Sequence, residues 1–198
     1  MRTHEEFNAQ DIPKGFYWFN EPASFRTGNG LELCTREKSD FWQETHYGFK
    51  RDDGHCLFTR ISGDFTIMTQ VEFVMQAQYD QCGLMIRVDG RNWIKTCTEW
   101  EDGSTSRLGS VVTNLGWSDW ATQDICPTPG QMWYRISRNM DDFLLEYSFT
   151  GTKWLQMRIT HLHSAKDELE VGPYACSPIG KNFRCRFLFF DVDNSRWS

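Results

Sequence analysis

Long apolar runs are missing from this 198-residue chain. Near its start the longest is "GFYWF", Gly15 to Phe19, too short for a signal-peptide core and far too short for a membrane span. Runs of five like charges are missing too. With a net charge of −6, the basic footprint of a nucleic-acid binder is absent. Paired cysteine spacing is missing. Cys34, Cys56, Cys82, Cys97, Cys126, Cys176 and Cys185 form no C-x-x-C and read as reduced thiols serving as small strand hydrophobes. No asparagine starts an N-x-Ser/Thr glycosylation signal, and no glycine-rich loop opens a helix. These absences lead us to expect a cytoplasmic protein with no nucleic-acid or membrane partner, no cofactor and no metal.

Helical periodicity is scarce, and turn signals recur in its place: "TGNG" at Thr27, "DDGH" at Asp52, "VDGRN" at Val88, "EDGS" at Glu101 and "TGTK" at Thr150. Between them lie short runs of Val, Ile, Phe, Thr, Tyr and Trp. That spacing predicts an all-β antiparallel sandwich. Strands are expected over 65–76, 109–115, 132–138 and 143–149, then through "KWLQMRITHLH" and "FRCRFLFFDV". In the last of these, Phe183, Cys185, Phe187 and Phe189 should share a face. "CPTPG", Cys126 to Gly130, is a connector, because its prolines bar it from a central strand. With no linker and no repeat, one domain is expected over 1–198, with the first ten residues frayed. Nine tryptophans and fifteen phenylalanines suggest two apolar layers, or a core plus an aromatic cleft.

The hairpin "YDQCGLMIRVDGRNWIKTCTEW", Tyr79 to Trp100, carries charge inside its strands. A two-residue loop at Gly90-Arg91 would pair Arg87 with Ile94 and set Lys95 and Glu99 beside Leu84 and Ile86. Burying those charges in a core is costly. A three-residue loop, Gly90 to Asn92, pairs Val88 with Ile94 and Arg87 with Lys95, and makes one face wholly apolar. We therefore expect Leu84, Ile86, Val88 and Ile94 inside. Gln81, Met85, Arg87, Trp93, Lys95, Cys97 and Glu99 fall on the other face, with Gly83 opening space at its centre. That face is either a groove for a hydroxyl-rich or anionic ligand or a surface ion-pair network.

Five segments in order, "DFWQETHYGFKRDDGHCLFT", "GDFTI", "YDQCGLMIRVDGRNWIKTCTE", "SVVTNLGWSDWA" and "VGPYACSP", resemble the "regulation of enolase" family of the concanavalin A-like lectin/glucanase superfamily, over roughly Phe16 to Asp193. The resemblance implies a two-sheet jelly-roll sandwich with a concave face. It also implies a role in sugar metabolism through enolase, as a metabolic partner or through its regulatory pathway. Superfamily habit would place a sugar or sugar phosphate on the concave sheet. The candidates carried over are Gln81, Arg87, Lys95 and Glu99, with Trp117, Asp119 and Trp120 at the rim on a loop. Arg87 would matter most for an anionic ligand. Cys97 stands where the family pattern calls for a smaller residue, which narrows the groove.

Catalysis is disfavoured. Glycoside hydrolysis needs two opposed carboxylates, and the E-x-D-x-x-E strand of the superfamily's glucanases is absent. The nearest pair is Glu99 with Glu101. His161 and His163 share a strand face but show no third ligand. His55 reads as a turn residue. The expectation is a non-enzymatic regulatory protein. The alternative is a carbohydrate-binding module or degenerate glycoside hydrolase, told apart by whether the concave face is an open cleft or filled by its own side chains.

Overall fold

The computed structural model describes residues 3–197. Seventeen strands form two large antiparallel sheets and one small one, with no helix among the described residues. Sheet I runs in the order β15 (Leu155–His161), β14 (Asp142–Ser148), β13 (Gln131–Asn139), β8 (Phe65–Val74), β17 (Arg184–Asn194), β4 (Leu31–Cys34), β3 (Ser24–Arg26), and β1 (Thr3–Glu5) joins it on β17. Sheet II runs β12 (Trp117–Ile125), β11 (Thr105–Asn114), β10 (Asn92–Asp102), β9 (Gln81–Asp89), β16 (Glu168–Cys176), β7 (His55–Ser62), β2 (Tyr17–Phe19). β5 (Phe41–Gln43) and β6 (Lys50–Asp52) make a separate hairpin. This is the all-β antiparallel sandwich expected from alternation and turn spacing, in the two-sheet form that the family resemblance implied.

Alternation along each strand builds the core, because successive side chains point to opposite faces. Ile67, Val71, Tyr134, Ile136 and Leu145 of sheet I meet Leu84, Ile86, Ile94, Val112 and Val171 of sheet II in one buried cluster. A second cluster lies on the far side of sheet II. There Phe41 and Trp42 of the β5–β6 hairpin cover Phe58, Met85, Trp93, Cys97, Val111 and Tyr174. The hairpin thus roofs the outer face of sheet II, the one expected to be the concave face.

The opening hairpin departs from the expected register. Its loop is Gly90-Arg91, closed by Asp89 and Asn92, and the next pairs are Arg87 with Trp93, Ile86 with Ile94 and Met85 with Lys95. A register shift between Asn92 and Trp93 leaves Val88 as an extra residue in β9. A two-residue loop alone would have turned Lys95 toward the core. The bulge adds one residue and restores the parity, so Leu84, Ile86 and Ile94 are buried while Arg87, Lys95 and Glu99 share the opposite face. Val88 is only partly buried.

Other expectations need correction. Gly83 opens no space: a Cβ there would lie 1.9 Å from the Thr96 carbonyl oxygen. It permits close approach of β9 and β10. In β17 a shift between Phe187 and Phe189 puts Phe190, not Phe189, in the core beside Phe183, Cys185 and Phe187. Of the first ten residues, the described ones include β1, which pairs with β17, and Phe7, which is fully buried; residues 1 and 2 lie outside the described residues. Trp117 to Trp120 of "GWSDW" are strand rather than loop, joined to β11 by a two-residue turn at Leu115-Gly116. Cys126 is exposed in its connector, whereas the other six cysteines are buried. His55 opens β7 and is buried, with Nδ1 donating to the Asn20 carbonyl (2.7 Å) and Nε2 accepting from the Arg36 N–H (3.0 Å).

Two outcomes follow from these contacts. Leu84→Ala should lower unfolding free energy by about 2–5 kcal/mol through lost transfer energy and a cavity. Gly83→Ala should cost at least about 1–3 kcal/mol, since backbone must move. Urea denaturation reads both, and a Gly83→Ala protein as stable as wild type would refute the close approach. Burial lowers the His55 pKa below its ordinary 6.5. The unfolded state then binds more protons below that pH, so this share of stability is whole above 6.5 and lost as pH falls through the lowered value. Wild type should therefore lose more stability between pH 7.5 and 5.5 than His55→Gln. Equal losses would contradict a buried neutral imidazole.

Candidate ligand-binding cleft

Antiparallel pairing sets the concave face of sheet II in rows. Met85, Lys95, Val111 and Trp120 form one row, and Gln81, Glu99, Arg107 and Asp124 another. Most of this face is filled by the chain itself. One end stays open as a cleft of about 480 Å³. Its floor is Gln81, Lys95, Glu99 and Val111. Trp42, Tyr47 and Phe49 of the hairpin wall one side, Trp120 another, and Tyr79, Pro178 and Ile179 the mouth. Trp42 and Trp120 meet edge to face at 6.5 Å, and Tyr47 stacks on Phe49 at 5.8 Å. Tyr47, Phe49 and Ile179 are exposed.

Three of the floor residues form one polar chain. The Lys95 ammonium donates to Gln81 Oε1 (2.8 Å) and to the Phe41 carbonyl (3.1 Å), with Asp40 Oδ1 at 3.7 Å. Gln81 Nε2 donates to Glu99 Oε2 (2.9 Å), and its Oε1 also accepts from the Tyr174 hydroxyl (3.2 Å). Burial disfavours the Lys95 charge, but its acidic neighbours, Asp40 first among them, together outweigh it and its pKa is raised. Burial pushes Glu99 from 4.5 up to about 8, against the pull of Lys95. At neutral pH Glu99 is therefore largely a neutral acid. With Lys95 matched by Asp40, the floor is polar yet nearly neutral. Burial also drives the Cys97 thiol to about 12, so it packs rather than reacts.

The other candidates lie elsewhere. Arg87 stands on the same face but at the closed end. Its fork grips Asp52 of β6 (Nη1–Oδ1 2.8 Å, Nη2–Oδ2 2.7 Å) and its guanidinium carbon lies 4.3 Å from the Phe19 ring centroid. Both donors of the fork are engaged in holding the hairpin. Trp117 and Asp119 alternate with Ser118 and Trp120, so they point off the concave face. Trp117 is 63% exposed and Asp119 pairs with Arg158 of β15 (3.0 Å). The structure thus brings Gln81, Lys95, Glu99 and Trp120 together and separates Arg87, Trp117 and Asp119 from them.

Sequence reasoning missed Asp40, Trp42, Tyr47 and Phe49, which arrive on a hairpin distant in sequence. Their signal was present: "FWQETHYGFK" packs four aromatics around a turn, more than a plain connector needs. Glu101 does not pair with Glu99. A register shift between Trp100 and Asp102 interrupts the strand there, and Glu101 takes Arg107 (3.2 Å) and Gln78 (3.2 Å). His161 and His163 sit with ring centroids 4.9 Å apart, and Asp142 holds His161 Nδ1 at 2.7 Å. No group of three metal-ligating side chains occurs among the described residues. No helix is long and apolar enough to cross a membrane among them either.

Comparison with known proteins places this geometry. "Regulation of enolase protein 1" of Saccharomyces cerevisiae is 36% identical over 162 residues, 81% of this chain and 80% of its own. A crystal structure of a functionally unknown protein from Saccharomyces cerevisiae superposes with a TM-score of 0.85 at 32% identity, over 91% of this chain and 96% of that one. The fold recurs in a xylan β-1,4-xylosidase from Bacillus halodurans C-125, with a TM-score of 0.76 at 15% identity, over 96% of this chain but 39% of the xylosidase chain. Residues 18–195 match the family described as "Protein of unknown function (DUF1349)", and the chain belongs to that family.

Proposed function

We propose that this chain is a non-enzymatic cytoplasmic regulatory protein of sugar metabolism. It binds a neutral, hydroxyl-rich ligand in the cleft and acts on enolase or the pathway that controls it. The observation that carries the ligand class is the floor. Its ammonium is already matched by Asp40, its acid is held neutral, and Arg51 on the wall is paired with Asp53 (2.7 Å), so no unpaired charge waits for a phosphate. Hydroxyl groups suit such a floor, because the neutral Glu99 acid can both donate and accept, and Gln81, itself fixed by Lys95, holds it in place. The aromatic walls suit the apolar faces of a sugar. The relative's name supports the link to enolase, and the fold shared with part of a xylosidase supports a glycan-type ligand.

A second reading, glycoside hydrolysis, has one observation in its favour: an acid kept protonated at neutral pH is what a leaving group needs. It lacks a free second carboxylate. Asp40, the other acid in the cleft, is held by the Phe41 N–H (2.7 Å) and by Lys95. Release of xylose from xylobiose, abolished by Glu99→Gln, would favour hydrolysis over binding.

Titration of tryptophan fluorescence tests the proposal with xylobiose and glucose 6-phosphate as probes. Xylobiose should bind and glucose 6-phosphate should not. Trp120→Ala should weaken xylobiose more than tenfold, about 1.4 kcal/mol. Arg87→Ala should leave affinity unchanged and reduce stability by about 2–3 kcal/mol, the scale of lost hydrogen bonds to a charged group. Preference for the phosphate, or loss of binding in Arg87→Ala alone, would contradict the neutral-ligand reading.

Glu99 makes a separate pH prediction. Its folded pKa, about 8, lies above the ordinary 4.5. The stability linked to its proton is whole below 4.5 and is lost as pH rises through 8. Glu99→Gln should remove that loss, so urea midpoints of the variant should gain on wild type between pH 5 and pH 9. Parallel pH curves would show that Glu99 ionises freely.

A further inference from the structure

Sheet II ends in an unguarded edge. β12 is nine residues long and pairs with β11 in unbroken register from Trp117 to Ile125. The other edges are protected. β2 and β3 have three residues each, and β15 carries a register shift against β14. Exposed edges are commonly blunted by proline, lysine or a bulge. "WSDWATQDI" has none of these, and its two acids, Asp119 and Asp124, each face an arginine of their own chain, Arg158 and Arg107.

The free backbone groups of this edge are identifiable. Leu115 and Gly116 both have positive φ (54° and 87°) and form the two-residue turn closed by Asn114 and Trp117. A pair closing such a turn exchanges both backbone hydrogen bonds. By alternation, Ser118, Trp120, Thr122 and Asp124 then direct N–H and C=O away from β11. Gly109 agrees, because a Cβ there would lie 2.6 Å from the Ala121 carbonyl oxygen, which therefore points inward.

We propose that two copies of this chain join edge to edge through β12, antiparallel about a two-fold axis at Ala121. The strand is complementary to itself in that register. Trp117, 63% exposed, meets the partner's Ile125. Ser118 meets the partner's Asp124, Asp119 the partner's Gln123, and Trp120 the partner's Thr122. No carboxylate opposes another. A slip of one residue toward the C-terminus would oppose Asp119 to the partner's Asp124, and any slip of one residue inverts the faces, so this register is favoured over its immediate neighbours. The two seven-stranded sheets become continuous. Both clefts then open on one shared face, with Trp120 of each copy near the junction.

Light scattering coupled to gel filtration tests this, with circular dichroism to confirm folding. Wild type should show the mass of two chains. Thr122→Pro removes an outward N–H and leaves the β11 pairing whole. Ala121→Asp, at an exposed position, sets two carboxylates against each other on the axis. Each should weaken the dimer at least tenfold and give the mass of one chain. A one-chain wild type overturns the proposal, as does either folded variant that keeps the two-chain mass. If Thr122→Pro fails to fold, Ala121→Asp alone decides.

Discussion

The Lys95 ammonium sits in the middle of a sheet at 2% exposure, and much of the concave face is arranged around it. A buried cation persists only when its three donors and its charge are met. Sheet II supplies one partner, Gln81 from the neighbouring strand. The others, the Phe41 carbonyl and Asp40, come from a hairpin that must fold back over the face. Gln81 turns its oxygen to Lys95 and so turns its amide nitrogen to Glu99. Burial, against the pull of Lys95, leaves Glu99 a neutral acid at pH 7. The electrical neutrality of the floor thus has two sources, the Asp40 carboxylate beside Lys95 and the burial of Glu99.

The hairpin also divides the concave face by use. At one end Arg87, Asp52 and Phe19 clamp it to the sheet, and the side chains there are committed to each other. At the other end the aromatic residues of its turn stand off the floor and leave the cleft. A residue on the concave face is therefore architectural or available according to its distance from the clamp. The sandwich itself, shared with a xylosidase over 39% of that chain, does not decide which ligand enters.

The sandwich was legible because alternation in "FTIMTQVEFVMQ" and the β13–β14 meander follows directly from a half-buried sheet. The polar face of the β9–β10 hairpin was legible too, since burying Lys95 with Leu84 would have been prohibitive. The route to that face was not. A bulge at Val88 and a three-residue loop restore the same parity, and only backbone geometry tells them apart. Gly83 looked like open space because a missing side chain is ambiguous between a hole and a close contact. Arg87 looked free because its partner Asp52 lies 35 positions away on a hairpin whose roof position no local pattern encodes. Trp117 and Trp120 looked like one rim. Once they lie on a strand, odd spacing sends them to opposite faces.

Nuclear magnetic resonance of the tryptophan indole N–H groups tests the central claim, a neutral-sugar site in the open end of the concave face. The chain has nine tryptophans, and two of them line the cleft. Titration with xylobiose should shift the indole signals of Trp42 and Trp120 and leave those of Trp117, Trp133 and Trp154 in place. Unmoved Trp42 and Trp120 signals at saturating sugar, or shifts confined to the other tryptophans, would contradict the account.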